Sequence, residues 1–153
     1  MAFSVHAMSA LGLIFLIYYL IHGHFFEYYY VWQHSSTILP FKYMWACLWE
    51  GQEGSFLLWM FWHLVIGAVI IAINDQFKLD VMAVIMVAEI WLNSMLLGIY
   101  LPFGEDIKIG SNPMMLIREI TLAPIFNNAD YLSLIQGRGL NPLLQNYWMT
   151  IHP

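Results

Sequence analysis

Charge is scarce in this chain of 153 residues: Lys and Arg number 5, Asp and Glu 10, and charged residues make up 10% of the sequence. A soluble domain carries about 25%. With 61% hydrophobic residues and a mean hydropathy of +0.66, a water-exposed fold of this size lacks the polar surface to cover its apolar side chains. Cysteine is nearly absent too. The single Cys47 excludes an internal disulfide and any CxxC redox or zinc motif. Its place between Trp45 and Trp49 suits a small apolar residue better than a reactive thiol. Basic character is also missing: a net charge of −5 with six histidines argues against nucleic acid as a partner.

What the chain has instead is apolar length. Ala2–Ile21 carries no charge and one histidine, His6; Phe56–Ile73 carries only His63; Val81–Leu101 carries a single carboxylate, Glu89. About 20 apolar residues cross a hydrocarbon core of about 30 Å, and there a helix satisfies its own backbone. The expectation is an all-α, polytopic transmembrane bundle, one membrane domain over 1–153 with spans at 2–21, 56–73 and 81–101. The first run lacks the basic start and small-residue cleavage site of a signal peptide.

The connections are aromatic. His22–Ser55 holds Phe25, Phe26, Tyr28, Tyr29, Tyr30, Trp32, Phe41, Tyr43, Trp45 and Trp49, residues that favour the membrane interface. The spacing predicts a short interfacial helix over Phe41–Trp49 with Pro40 near its first turn. Residues 74–80 form a polar turn. Beyond Leu101 glycine and proline recur, predicting turns and a short helix over Pro113–Thr121 capped by Asn112. The chain stops as though another helix follows, the pattern of an N-terminal fragment. Residues 22–55 and 102–153 share one side of the membrane. They hold Lys42, Lys108, Arg118 and Arg138 against Lys78 on the other side, a thin bias that on charge alone places them in the cytoplasm.

Several polar groups invite chemistry. In Trp49-Glu50-Gly51-Gln52-Glu53-Gly54-Ser55 the residues alone leave two readings open, a helix cap by Glu53 or Ser55 and a loop shaping a ligand cavity. His22 and His24, two apart, share no helix face. His34, in a polar turn, reads as solvated. His63 either reaches the interface or serves a function inside the membrane. Glu89 is costly at mid-span unless paired, so it faces the bundle interior, with Asn93 one turn on as a local partner. It serves either an interhelical hydrogen bond or a proton relay. His152, before Pro153, stands at the start of a new helix, where an imidazole can ligate haem iron.

Three stretches resemble one family. Tyr30–Pro40 (YVWQHSSTILP) leading into Trp49–Trp59 (WEGQEGSFLLW), then Ser111-Asn112-Pro113, and finally Gly137–Gln145 (GRGLNPLLQ) ending in Ile151-His152-Pro153 follow in order and spacing the pattern of the CcmF/CcsA family of cytochrome c maturation proteins. Departures are specific: Glu50 stands for a usual glycine and His34 for a usual asparagine. Residues 104–110 read as an insertion, Tyr147-Trp148-Met149 replace a DPG run, and the family's tryptophan-rich segment is absent.

The resemblance implies a component of the haem lyase that attaches haem to CxxCH apocytochromes c at the outer face of a bacterial inner membrane, with both aromatic loops on that face. By motif, His152 would be the external haem-iron ligand. Trp49, Gln52, Glu53, Gly54, Ser55, Asn141, Pro142 and Gln145 would shape the site. No residue acts as a nucleophile, since the substrate thiols supply that. Implied partners are membrane lipid, the apocytochrome, a haem chaperone or other maturation subunits, and the rest of a longer protein. Two rivals remain: a proton- or quinone-handling subunit using Glu89 and His63, and a structural membrane subunit whose aromatic loop docks partners.

Overall fold

A computed structural model describes residues 2–73, 76–101 and 107–148. Three long helices dominate: α1 (Ala2–His22), α4 (Gln52–Ile73) and α5 (Lys78–Leu97). All three are long and apolar enough to cross a membrane. At 1.5 Å per residue they measure about 30–33 Å, the thickness of a hydrocarbon core.

Between α1 and α4 lie α2 (Tyr29–His34), a 3₁₀ turn at Phe41–Tyr43 and α3 (Met44–Trp49). Pro40 sits at the cap of that turn, so the expected Phe41–Trp49 helix forms as 3₁₀ running into α. After α5 come strands β1 (Ile99–Leu101) and β2 (Ile107–Ile109), paired antiparallel. The short helices α6 (Ile117–Ile120) and α7 (Tyr131–Leu134) and 3₁₀ turns at Pro124–Asn127 and Pro142–Leu144 follow.

Each long helix buries one narrow stripe. In α4 it is Gly54, Leu57, Met60, Leu64 and Gly67; in α5 it is Ile85, Glu89, Leu92 and Leu96. Steps of three and four keep these residues on one face. Gly67 lets α1 close in: a Cβ there would lie 2.6 Å from the Phe3 ring, the close approach that small residues permit between membrane helices. Only 17–22% of each helix's most apolar window is buried, so Phe15, Trp59, Trp62, Val84, Val87 and Trp91 remain exposed. In water those rings would cost heavily; lipid solvates them.

Three boundaries differ from expectation. The third long helix stops at Leu97, not Leu101, because Gly98 turns left-handed (φ 64°) and residues 99–101 pair with β2 instead. The second begins at Gln52, so the last four residues of the glycine-rich motif are its first turn, and only a bend at Glu50 and Gly51 separates it from α3. The helix expected over 113–121 shrinks to Ile117–Ile120, and Asn112 Oδ1 accepts from Met114 N at 2.9 Å, holding a turn ahead of it.

Candidate functional site

The connecting segments join at one end of the helices into a cap. Residues 136–139 run along α2: Arg138 N donates to Trp32 O at 2.8 Å, Gly139 N to Ser35 O at 3.0 Å, and Gln136 Nε2 to Thr37 Oγ1 at 2.7 Å. Gly137 is required by this contact, since a Cβ there would lie 1.9 Å from Ser35 O. Residues 115–117 hold the other side: Tyr29 N donates to Met115 O and Ile117 N to Glu27 O, at 2.9 and 2.8 Å. Backbone-to-backbone bonds thus fix both later segments on the aromatic loop.

At the centre stands the WEGQEGS motif. Gly54 is buried against the end of α3, where a Cβ would fall 1.7 Å from Leu48 O and 2.3 Å from the Tyr30 hydroxyl. That hydroxyl donates to Leu48 O at 2.9 Å; burial, then the charge of Glu53, pushes the Tyr30 phenol far above its ordinary range. Ser55 Oγ donates to Trp49 O at 3.0 Å, so Ser55 ties α4 to α3 rather than capping a helix. Glu53 is half-buried in the first turn and Gln52 is exposed at its start. Trp49, Trp45 and Leu48 line an apolar cavity of about 140 Å³ against Ile14 and Phe61.

Glu50 joins three segments. Its Oε2 lies 2.8 Å from His34 Nδ1, and its Oε1 accepts the Asn141 backbone N–H at 3.2 Å. Asn141 Oδ1 in turn accepts from Leu143 N, starting the turn at Pro142, and Gln145 Nε2 donates to Leu140 O at 2.9 Å. Most of the predicted site-shaping residues therefore meet in one assembly, held by a carboxylate that was not among them. His34 is not solvated as expected but clasped by Glu50. Cys47 is fully buried, with burial and then the Glu50 charge pushing its thiol up to about 12, which removes it as a nucleophile.

A second cluster lies about 12–17 Å below the cap on a rise of 1.5 Å per residue. Glu89, 1% exposed, places Oε2 2.5 Å from His6 Nε2 and Oε1 2.7 Å from His63 Nδ1. One carboxylate so bridges all three long helices. The local partner expected for it was wrong: the Asn93 amide donates to the Glu89 backbone oxygen at 2.8 Å. His63 does not reach for the interface but turns inward. No role for His6 follows from the sequence, because nothing local links residues 83 apart.

Haem iron needs a ring nitrogen without another partner. Among the described residues no group of three His, Cys, Asp or Glu could hold a metal ion. The cap has apolar and aromatic walls, and one buried imidazole nitrogen, His24 Nδ1, has no hydrogen-bond partner. It lies beside a cavity of about 280 Å³ lined by Phe25, Phe26, Glu27 and Leu132. His152 lies outside the described residues.

Sequence comparison finds homologues among the cytochrome c-type biogenesis proteins. The chain is 28% identical over 123 residues to the cytochrome c-type biogenesis protein CycK of Bradyrhizobium diazoefficiens, covering 80% of this chain and 16% of that protein. CycK of Rhizobium meliloti is 25% identical over 123 residues, with 80% and 15% covered. The probable cytochrome c-type biogenesis protein NrfE of Escherichia coli is 29% identical over 124 residues, with 81% and 19% covered. The chain thus spans less than a fifth of the length of these relatives. No family model matches it, and no solved structure does. Three helices of spanning length and these homologues make it a membrane protein.

Proposed function

We propose, on the premise that this chain is a homologue of the cytochrome c-type biogenesis proteins, that it is part of a haem lyase. In this reading its cap lies at the outer face of a bacterial inner membrane, which the chain crosses several times. There it presents haem to a CxxCH apocytochrome. The observation that carries the proposal is the docking of three motif segments, 30–40, 49–59 and 137–145, into one assembly around Glu50 and Gly54. Segments that match one family's motifs, 105 positions apart at the Arg138–Gln33 bond, have no reason to converge unless they build one surface.

Haem supplies the vinyl groups, across which each cysteine S–H adds to form a thioether. The chain's own residues would hold and orient. His152 would take the iron, and the aromatic cap, with its apolar cavity under Trp45 and Trp49, would exclude water from the porphyrin edge. A rigid platform is what such a reaction needs, because placing a vinyl carbon within reach of a thiolate is chiefly a matter of positioning. Glu50, Gly54 and Asn141 supply that rigidity by locking the segment that leads to His152. Partners in this reading are the apocytochrome, a haem chaperone or other maturation subunits, lipid, and the remainder of the same protein.

The test is covalent haem attachment in cells that depend on the full-length protein. His152→Ala should abolish holocytochrome formation while protein level is retained. Leu122→Ala, at a fully exposed position outside the motif stretches, should leave it intact. Undiminished attachment in His152→Ala would refute the assignment.

A further inference from the structure

The His6–Glu89–His63 cluster is unexplained by haem presentation, since it lies well below the cap. Its chemistry is constrained by the bonds it makes. An ionised carboxylate has no hydrogen to donate. Both facing ring nitrogens, His6 Nε2 and His63 Nδ1, then carry the hydrogens of the two bonds. With both rings neutral the cluster bears one negative charge in an apolar slab, an arrangement that costs heavily. One added proton, on the nitrogen of either ring turned away from Glu89, gives an imidazolium, a carboxylate and an imidazole with no net charge. Neither hydrogen bond is lost in the exchange.

Among the described residues nothing nearby offers another compensation. In α1 the other titratable side chains, Tyr18, Tyr19 and His22, lie about 18 Å or more further along the helix. In α4 Glu53 lies about 15 Å away, and in α5 Asp80 and Lys78 lie about 13–17 Å away. Asn93, the polar neighbour on α5, spends its amide on backbone.

We infer that His6, Glu89 and His63 form an intramembrane proton-binding site that takes up one proton as a unit. Of the three side chains His63 is the most exposed, at 31% against 15% for His6 and 1% for Glu89. Because each ring belongs to a different helix, loading and unloading the proton changes the charge at a polar contact that joins α1, α4 and α5. The site stands independently of the haem reading.

The experiment is ¹⁵N magnetic resonance of histidine-labelled full-length protein in lipid nanodiscs, followed across the range in which imidazoles and carboxylic acids titrate. Before loading, His63 should carry its proton on Nδ1, the minority tautomer of free histidine, and His6 on Nε2. On acidification a single proton should be shared by the two ring signals in one coupled step. Glu89→Gln, which keeps the size of the side chain and still bonds to both rings, should uncouple them into two separate titrations. His63 found protonated on Nε2 alone overturns the inference. So does a constant protonation state throughout the range, which would leave a structural clamp. Ring titrations unchanged by Glu89→Gln overturn it as well. The native spectra decide the first two outcomes without any variant that has to fold.

Discussion

Two carboxylates do the same job in two solvents. Glu50 uses one oxygen for His34 and the other for the Asn141 backbone, pinning three segments of the cap. Glu89 uses its two oxygens for His6 and His63, pinning three long helices. Their side chains differ in exposure, 12% against 1%, and in what replaces a lost partner. At the cap, water can enter and satisfy an orphaned imidazole. Mid-helix in lipid there is none, so the same geometry becomes indispensable.

The sharpest way to break the comparison is to delete both carboxylates in turn. Glu89→Ala removes the buried carboxylate from two half-buried rings and should lower stability by about 3 kcal/mol, the low end of the cost of breaking a buried pair. Glu50→Ala should cost about 1–2 kcal/mol, because the cap can rehydrate. Thermal unfolding in detergent ranks the two, and equal losses would erase the distinction between solvents.

Between these falls Gly54→Ala. Its Cβ has no space beside Leu48 O and the Tyr30 hydroxyl, so α3 must shift, at about 1–3 kcal/mol. The loss should be accompanied by faster proteolysis of residues 136–145, whereas Gly12→Ala, with open space around it, should be neutral or slightly stabilising. A smaller effect sharpens the cap itself: a double-mutant cycle of His34→Ala and Glu50→Ala should show coupling of about 1 kcal/mol that shrinks in high salt.

Smallest in energy is the behaviour of Cys47. Its thiol is raised to about 12 from an ordinary value of about 8.5. The native state therefore keeps its proton where the unfolded state has lost it. The stability this contributes is complete below the ordinary thiol range and is lost as pH climbs toward the native value. Maleimide should label native protein negligibly at neutral pH and fully after unfolding. With Cys47 silent, Gln52→Cys becomes a reporter of sidedness: labelling by an impermeant reagent from outside intact spheroplasts is expected for an outward cap.

Much of the helical frame was legible because long apolar runs need no distant information. Where the helices end was less so: Gly98 and the β1–β2 pairing cut the third one short, and the glutamates and glutamine of the WEGQEGS motif, good helix formers, carried the second one upstream. The pairings were harder. Glu89 declared its need for a partner, and helical spacing named Asn93, one turn on, as that partner. The bonds go instead to residues 83 and 26 positions away, which no local periodicity reports. The cap held a better clue. His34 and Glu50 are both departures from the family's pattern, and they bond to each other. Two unusual residues facing one another are most simply one replacement made in two places.

The absorption spectrum of the full-length protein, purified after haem-replete expression and compared with His152→Ala, tests the central claim most directly. A Soret band in the native protein that weakens or shifts when His152 is lost is the predicted result. Absence of haem from the native protein, or a band unmoved by the substitution, would contradict His152 as the ligand that the cap presents.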